Sequence, residues 1–595
     1  MLPGRYMRNC VIIPSLLSFS GVFAWAATSN IPQNPIPVND PLTIAKCGGC
    51  HKTSENGVMR RISYIRTTPE VWQQAIKRMM RLHGVHVTVE EASHIVRYLS
   101  ANNGLAPEEA KPIFWEAEHR LLRDQEDPAY VPAALKRTCN TCHTIGRVLA
   151  QRRTHEDYQK LANMHVGLFP YTDIMVFRPY PPSASLAEMP VTTTAVGSYE
   201  TVLNYPKEPD TPGKAPIDVA LDYLADQQPL ITPTWSAWKA VMQTPKLEGT
   251  WLVDGYQKGK GRVFGQVSIE ATGSDDDFTT KLNLKYASSG REIKRTGKGI
   301  VYTGYSWRGR SKADGSAADD PGYSPTEMKE AMFIARDGTI EGRWFWGGYD
   351  EFGIDVHLTR LDTGTVLHGT DKFSVQSPSK GQLRVFGANI PSTLKPADFN
   401  LGPGIKVTRI AESKSTEVLL DIDVAPGVAP GMHDVAFKGA TAVKAFAVYD
   451  RVSYIKVMPD ASFARLGGTI VAKQFAQFEA VAFANGPDGQ PGTDDDLMLG
   501  PVTANWSLEE FISGPNDDDV KFVGSINDSG LFTPALEGPN PERKKQSNNY
   551  PTDNYGDVWV SASFKPEGGS PLKARSYLVV TVPQYVHYDQ PEVSR

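Results

Sequence analysis

Two short strings constrain this chain more than anything else in it: Cys47-Gly48-Gly49-Cys50-His51 and Cys139-Asn140-Thr141-Cys142-His143. Two thiols separated by two residues can add across the two vinyl groups of a haem, and the histidine that follows at once is delivered to the iron as an axial ligand. Spacing and order are both demanding. The competing reading of one such string is a zinc or redox motif that happens to precede a histidine. Two strings that between them use every cysteine except Cys10 argue against it. The sequence therefore predicts two covalently bound haems c, attached through Cys47, Cys50, Cys139 and Cys142, with His51 and His143 as proximal ligands.

The first 26 residues carry Arg5 and Arg8, then an apolar run from Val11 to Trp25, then Ala24-Trp25-Ala26, a small-x-small site for signal peptidase. The run is shorter than the roughly 20 residues needed to span a bilayer, and Pro14 interrupts it, so an exported, cleaved and periplasmic chain is expected, without stable membrane insertion. Cys10 leaves with the leader, and no cysteine remains for a disulfide. The net charge is −5, and the leader holds two arginines and no acid, so the mature chain is more acidic still. Nucleic acid is disfavoured as a partner.

With 595 residues the chain exceeds what one hydrophobic core supports, and roughly three to five domains are expected. After the leader at 1–26, the pattern divides into a first cytochrome c unit at 27–104 and a second, with an extended linker, at 105–235. Apolar residues recur at helical spacing over Glu70 to Leu82, Val89 to Ser100, Pro112 to Asp124 and Thr154 to Met164, which makes the second unit a weak repeat of the first. Residues 170–215, rich in Pro and Thr, predict little regular structure. From Gly249 the texture changes to alternation: Thr250–Val253, Arg262–Glu270, Thr279–Tyr286, Gly299–Tyr305, Glu330–Ile334, Gly342–Gly347 and Asp355–Arg360 read as strands of a closed antiparallel β-barrel within 236–365. Alternation at 366–452 and again at 453–595 reads as two immunoglobulin-like sandwiches without disulfides. The fold class is thus multidomain, an α-helical dihaem cytochrome c domain followed by all-β domains.

Distal ligands are sought in the repeat. Trp72, Ala75, Ile76 and Met79 line one helix face, and Tyr158, Leu161, Ala162 and His165 repeat those offsets. This predicts His/Met ligation of the first haem through Met79 and bis-His ligation of the second through His165. A thioether ligand favours reduced iron, so electrons would run from the second haem to the first. The alternative leaves Met79 in the core and His165 on the surface, with ligands drawn from Met80, His83, His86, Met164 or Met175. Arg60, Arg61, Arg66, Arg147, Arg152 and Arg153 follow the motifs and are candidates to pair with haem propionates or to be ordinary surface arginines. Gly259-Lys260-Gly261 lacks a following helix and is not read as a phosphate loop, and the acidic stretch Asp488 to Asp496 lacks EF-hand spacing. No hydrolase motif occurs, and the sequence supplies no catalytic residues.

The leader, the paired motifs, the segments Thr68-Pro69-Glu70-Val71-Trp72 to Met79 and Asn163-Met164-His165-Val166-Gly167-Leu168-Phe169-Pro170, and the run of β domains together resemble the alpha subunit of quinohemoprotein amine dehydrogenase over essentially the whole chain. That resemblance implies assembly with a β-propeller subunit and with a small subunit that carries a cysteine tryptophylquinone. It implies oxidation of primary amines to aldehyde and ammonia, with electrons leaving through the haems to a soluble cupredoxin or cytochrome c. Every mature cysteine here is taken by haem, so the quinone has to lie on another chain, and the lone chain is not expected to oxidise amines. Two rival readings are a dihaem peroxidase-like enzyme, revealed by peroxide turnover, and a non-enzymatic cytochrome fused to binding modules, revealed by isolation as a stable single chain.

Overall fold

The computed structural model describes residues 31–110, 135, 138–139, 145–178, 214–243, 245–274, 276–314, 322–323, 325–512, 517–544 and 551–583. The leader, Cys142, His143, and the helix read at Pro112 to Asp124 lie outside these residues.

The N-terminal region is helical. Helices α1 (Pro41–Cys47), α2 (Pro69–His83), α3 (Val89–Asn103), α4 (Pro107–Ala110), α5 (Gly146–Leu149) and α6 (His155–Leu168) are followed by α7 (Pro216–Gln227) and α8 (Pro233–Val241). Local chemistry sets their ends. Thr68 precedes α2 with Pro69 at the first helical position, and Gly84, in the left-handed conformation that glycine tolerates best, donates back to the Met79 carbonyl to close the helix. Thr88 and Glu91 form a reciprocal capping box on α3, and Thr154 accepts from the Asp157 amide at the start of α6. Helix α6 runs past the Met164 read as its end, so His165 lies within the helix. Helices α7 and α8 follow the Pro- and Thr-rich stretch read at 170–215, of which 179–213 lie outside the described residues, and Ile217, Ala220, Leu221 and Leu224 of α7 are buried in the second core.

Strands β1 (Ile65–Thr67) and β2 (Gln151–Arg153) pair antiparallel with Arg66 opposite Arg152, and each leads directly into its own long helix, α2 or α6. The ribbon thus joins the two repeats. Each repeat has its own apolar cluster: Met59, Ile62, Trp72, Ile95 and Leu99 in the first, and Ile145, Leu149, Tyr158, Ala162 and Phe177 in the second.

Eight antiparallel strands then close a barrel: β3 (Gly249–Gln257), β4 (Gly261–Ala271), β5 (Asp277–Tyr286), β6 (Glu292–Tyr302), β7 (Ser306–Ala313), β8 (Glu327–Ile334), β9 (Ile340–Trp346) and β10 (Phe352–Arg360), with β10 returning to β3. The sequence shows only seven of them. The strand read as Gly299–Tyr305 ends at Tyr302, a Thr303–Gly304 turn follows, and β7 was missed because Ser306, Arg308 and Ser311 are buried polar residues that break the apolar alternation. Trp251, Trp307 and Trp344 fill the interior. A Cβ at Gly299 would stand 2.1 Å from the Trp307 ring, so only glycine leaves room for that indole.

Beyond the barrel, two four-stranded sheets spanning Val366–Tyr449 share one core that includes Leu383, Val385, Leu420 and Phe446. A last set of sheets spanning Tyr454–Thr581 encloses Phe478, Phe532, Val560 and Leu578. Within it Ala476–Gln477 and Glu479–Ala484 follow each other closely but pair in different sheets. Polar ties bind these bodies to the barrel: Lys285 pairs with Glu417 at 2.8 Å, and the Tyr256 hydroxyl donates to Glu479 at 2.6 Å. Among the described residues no helix is long and apolar enough to cross a membrane.

Candidate haem-binding site

The first motif sits where α1 ends. Cys47 is its last residue, and the amides of Cys50 and His51 both donate to the Cys47 carbonyl, at 3.3 and 2.9 Å. This tight turn carries both thiols and the imidazole on one short loop. Cys47 is half-buried against the Trp72 and Ile76 face of α2, and Cys50 is exposed. In the second unit Cys139 packs in the cluster that holds Tyr158 and Ala162 of α6. Cys47 and Cys139 therefore each pack against the apolar cluster to which their unit's long helix contributes. Burial raises the Cys47 thiol above its ordinary pKa and pushes Cys139 up to about 12.

His51 donates from Nδ1 to the Arg60 carbonyl at 2.9 Å. That carbonyl also accepts from the Ile62 amide at 2.9 Å across a γ-turn centred on Arg61, whose φ of 70° is a strained value for an arginine. His165 donates from Nδ1 to the Leu161 carbonyl at 2.8 Å. In both cases the hydrogen bond selects the tautomer in which Nε2 is the basic nitrogen, the arrangement metal-bound histidines adopt. Burial, the largest influence on each, lowers both pKa values and keeps the rings neutral, which is the ligand form.

Met79 is half-buried and Met80 largely exposed. His83, one turn beyond Met79, stands near enough for its charge to act on His51. The structure thus brings the C-terminal end of α2 to the first motif, with Met79 and His83 stacked at i, i+4. His165 packs against Phe177 at 6.1 Å between ring centres, whereas Met175 is strongly exposed.

The candidate arginines divide. Arg66 is fully buried and committed to Glu109, at 2.7 and 2.9 Å, with further bonds to the Gly104 and Leu230 carbonyls. Arg152 donates to the Leu149 carbonyl at 2.8 Å and lies 3.5 Å from Glu109. Arg147 donates to Gln74. These three brace the interior of the helical region. Arg60 and Arg61 line a groove of about 410 Å³ between Lys52 and the start of α6, which includes Asp157 and Lys160. The sequence missed Arg78, on the same helix as Met79, because nothing in its spacing from the motifs marks it. Among the described residues the indole N–H of Trp72 and the Nε–H of Arg78 are buried without an acceptor. Buried Nε–H donors without an acceptor among the described residues also occur away from the motifs, on Arg343 and Arg465, so these two fit a group with acceptor oxygens without requiring one.

Unlinked thiols at the motifs, imidazoles oriented through Nδ1 and unsatisfied buried donors fit a haem, and the class is a haem-binding protein with β-domain partners. Residues 38–177 match the family described as quinohemoprotein amine dehydrogenase A, alpha subunit, haem binding; 244–361, 373–450 and 455–593 match domains II, III and IV of the same alpha subunit. The chain belongs to the quinohemoprotein amine dehydrogenase alpha-subunit family, and is a haem electron-transfer subunit of an amine dehydrogenase. No curated protein matches it. Similar solved structures include a redesigned β-barrel, 16% identical over 20% of this chain and 92% of that one with TM-score 0.16, and a Bacteroides ovatus mixed-linkage glucan utilization locus protein in complex with a heptasaccharide, 11% identical over 57% and 62% with TM-score 0.15. Likenesses at that level add nothing to the functional reading.

Proposed function

We propose that this chain is the dihaem relay of a periplasmic amine dehydrogenase, passing electrons from a cysteine tryptophylquinone on a small partner subunit to a soluble cupredoxin or cytochrome c. Two haems c would be held through Cys47, Cys50, Cys139 and Cys142, with His51, His143, Met79 and His165 supplying the ligands to iron. A bound haem supplies reversible one-electron transfer. The chain's own residues do the rest: backbone carbonyls of Arg60 and Leu161 hold the two imidazoles, and Trp72 and Tyr158 wall the two sites. The β-barrel and the two immunoglobulin-like sandwiches serve as the frame for the β-propeller and quinone subunits.

The observation that carries this reading is the duplication: a buried aromatic and a candidate ligand recur on equivalent turns of α2 and α6, each helix following one strand of the β1–β2 ribbon and sharing an apolar cluster with a motif cysteine. The reading also explains why amine oxidation needs another chain. An amine carbon gives up its electrons after attack on an activated carbonyl, which no ordinary side chain supplies. Primary amine added to the isolated chain should leave the haem α-band oxidised, and added to the whole complex should reduce it. Reduction in the isolated chain would place the amine-oxidising centre here and overturn the proposal.

A further inference from the structure

Helix α2 presents different stripes to different neighbours. Trp72 and Ile76 face the first unit's core, while Gln74 accepts from Arg147 of the second unit. Arg78 lies one turn beyond Gln74 on that same stripe, so it too is directed toward the second unit. There it joins Arg61 and Arg153, whose charges it feels, and the charges of Arg78 and Arg153 both reach His165. Asp157 is the carboxylate paired within this group, and it is taken: Arg61 lies 2.9 Å from it and Arg153 bonds it directly. Among the described residues, three guanidinium groups thus share one carboxylate. Among the described residues Arg78, itself half-buried, has no acceptor for its buried Nε and no ion pair. A guanidinium stays charged, and a buried charge without a counter-ion is strongly disfavoured.

We infer that Arg78 reaches across from the first unit to hold a propionate of the haem attached at the second motif, turning that haem's carboxylate edge toward α2. This rests on the dihaem reading above. Arg78 is a positioning residue, contributed by the helix that carries one haem's candidate ligand to the site of the other haem. A planar fork suits a carboxylate better than an ammonium does, and its positive charge favours reduced iron nearby.

The test uses the full chain matured with haem. Haem content after denaturation is measured first, and fewer than two haems in the unaltered protein would sink the dihaem reading itself. With two haems present, Arg78→Gln should lower the midpoint of the second-unit haem by about a tenfold change in its reduction equilibrium, about 59 mV for one electron. The other haem should move much less. In a Cys139→Ala/Cys142→Ala background, which lacks the second haem, the same substitution should leave the remaining midpoint nearly unmoved. Arg78→Lys keeps the charge and should restore most of the potential while still shifting the propionate carboxylate bands in redox-difference infrared spectra. Unmoved midpoints in Arg78→Gln, a shift confined to the first haem, or unaltered carboxylate bands in Arg78→Lys would each overturn the assignment.

Discussion

Glu70, in the first turn of α2, and Arg308, in the middle of barrel strand β7, form an ion pair with both side chains almost wholly removed from solvent. Arg97 with Asp277 at 2.6 Å, and the Tyr305 hydroxyl donating to the Leu105 carbonyl at 3.0 Å, add to the same seam. The helix that carries Met79 and Arg78 is therefore anchored to the barrel at its N-terminal end, which limits how far its other end can drift from the first motif.

Removing one partner of the buried pair leaves the other charge stranded. Arg308→Met should destabilise the chain by about 3 to 5 kcal/mol, and a Glu70→Leu/Arg308→Met double substitution should recover most of that loss. Chemical denaturation with hydrogen exchange at α2 measures both. Equal losses in single and double variants would show that the pair does not set the anchoring.

Replacement of Cys139 and Cys142 with alanine should halve the covalently bound haem and leave the first site spectrally recognisable. Haem staining on denaturing gels and a pyridine haemochrome assay read this directly. Unchanged haem content would exclude the second motif as an attachment site.

Met79 and His83 share one face of α2 near His51, and ligation separates them. Met79→Ala should abolish the far-red methionine charge-transfer band of the oxidised protein and lower one midpoint, whereas His83→Ala should leave the band in place. A band that survives Met79→Ala and disappears in no other variant of α2 means that the thioether comes from elsewhere.

Glu330 inside the barrel is raised from 4.5 to about 7, above all by burial, against the hydrogen bonds from Trp307 and Ser311 and the charge of Arg295. Between those two values the folded chain keeps a proton that the unfolded chain releases, so stability falls as pH rises through the window and levels off above about 7. Relative to Glu330→Gln, the unaltered protein should lose about 3 kcal/mol from pH 4.5 to pH 8. Parallel stability-versus-pH curves for the two proteins would refute a neutral buried Glu330.

How much was legible in the sequence depends on whether the relevant chemistry is local. The two motifs and the repeat of Trp72 to Met79 by Tyr158 to His165 are short-range patterns, set by covalent spacing and the helical period. Most barrel strands announced themselves by alternation, but β7 did not, because a strand that buries Ser306, Arg308 and Ser311 obtains its stability from partners elsewhere: Arg308 from Glu70, and Ser311 from Arg295. The same reason decides the arginines. Sequence placed six of them near the motifs with equal weight and passed over Arg78; only the fold shows that Arg66 is neutralised by Glu109 and that Arg78 has no such partner among the described residues. Spacing along the chain determines where a haem can be attached; which charges are left over to meet it is a property of side chains brought together from distant positions, since electrostatic compensation acts through space and leaves no periodic mark on the sequence.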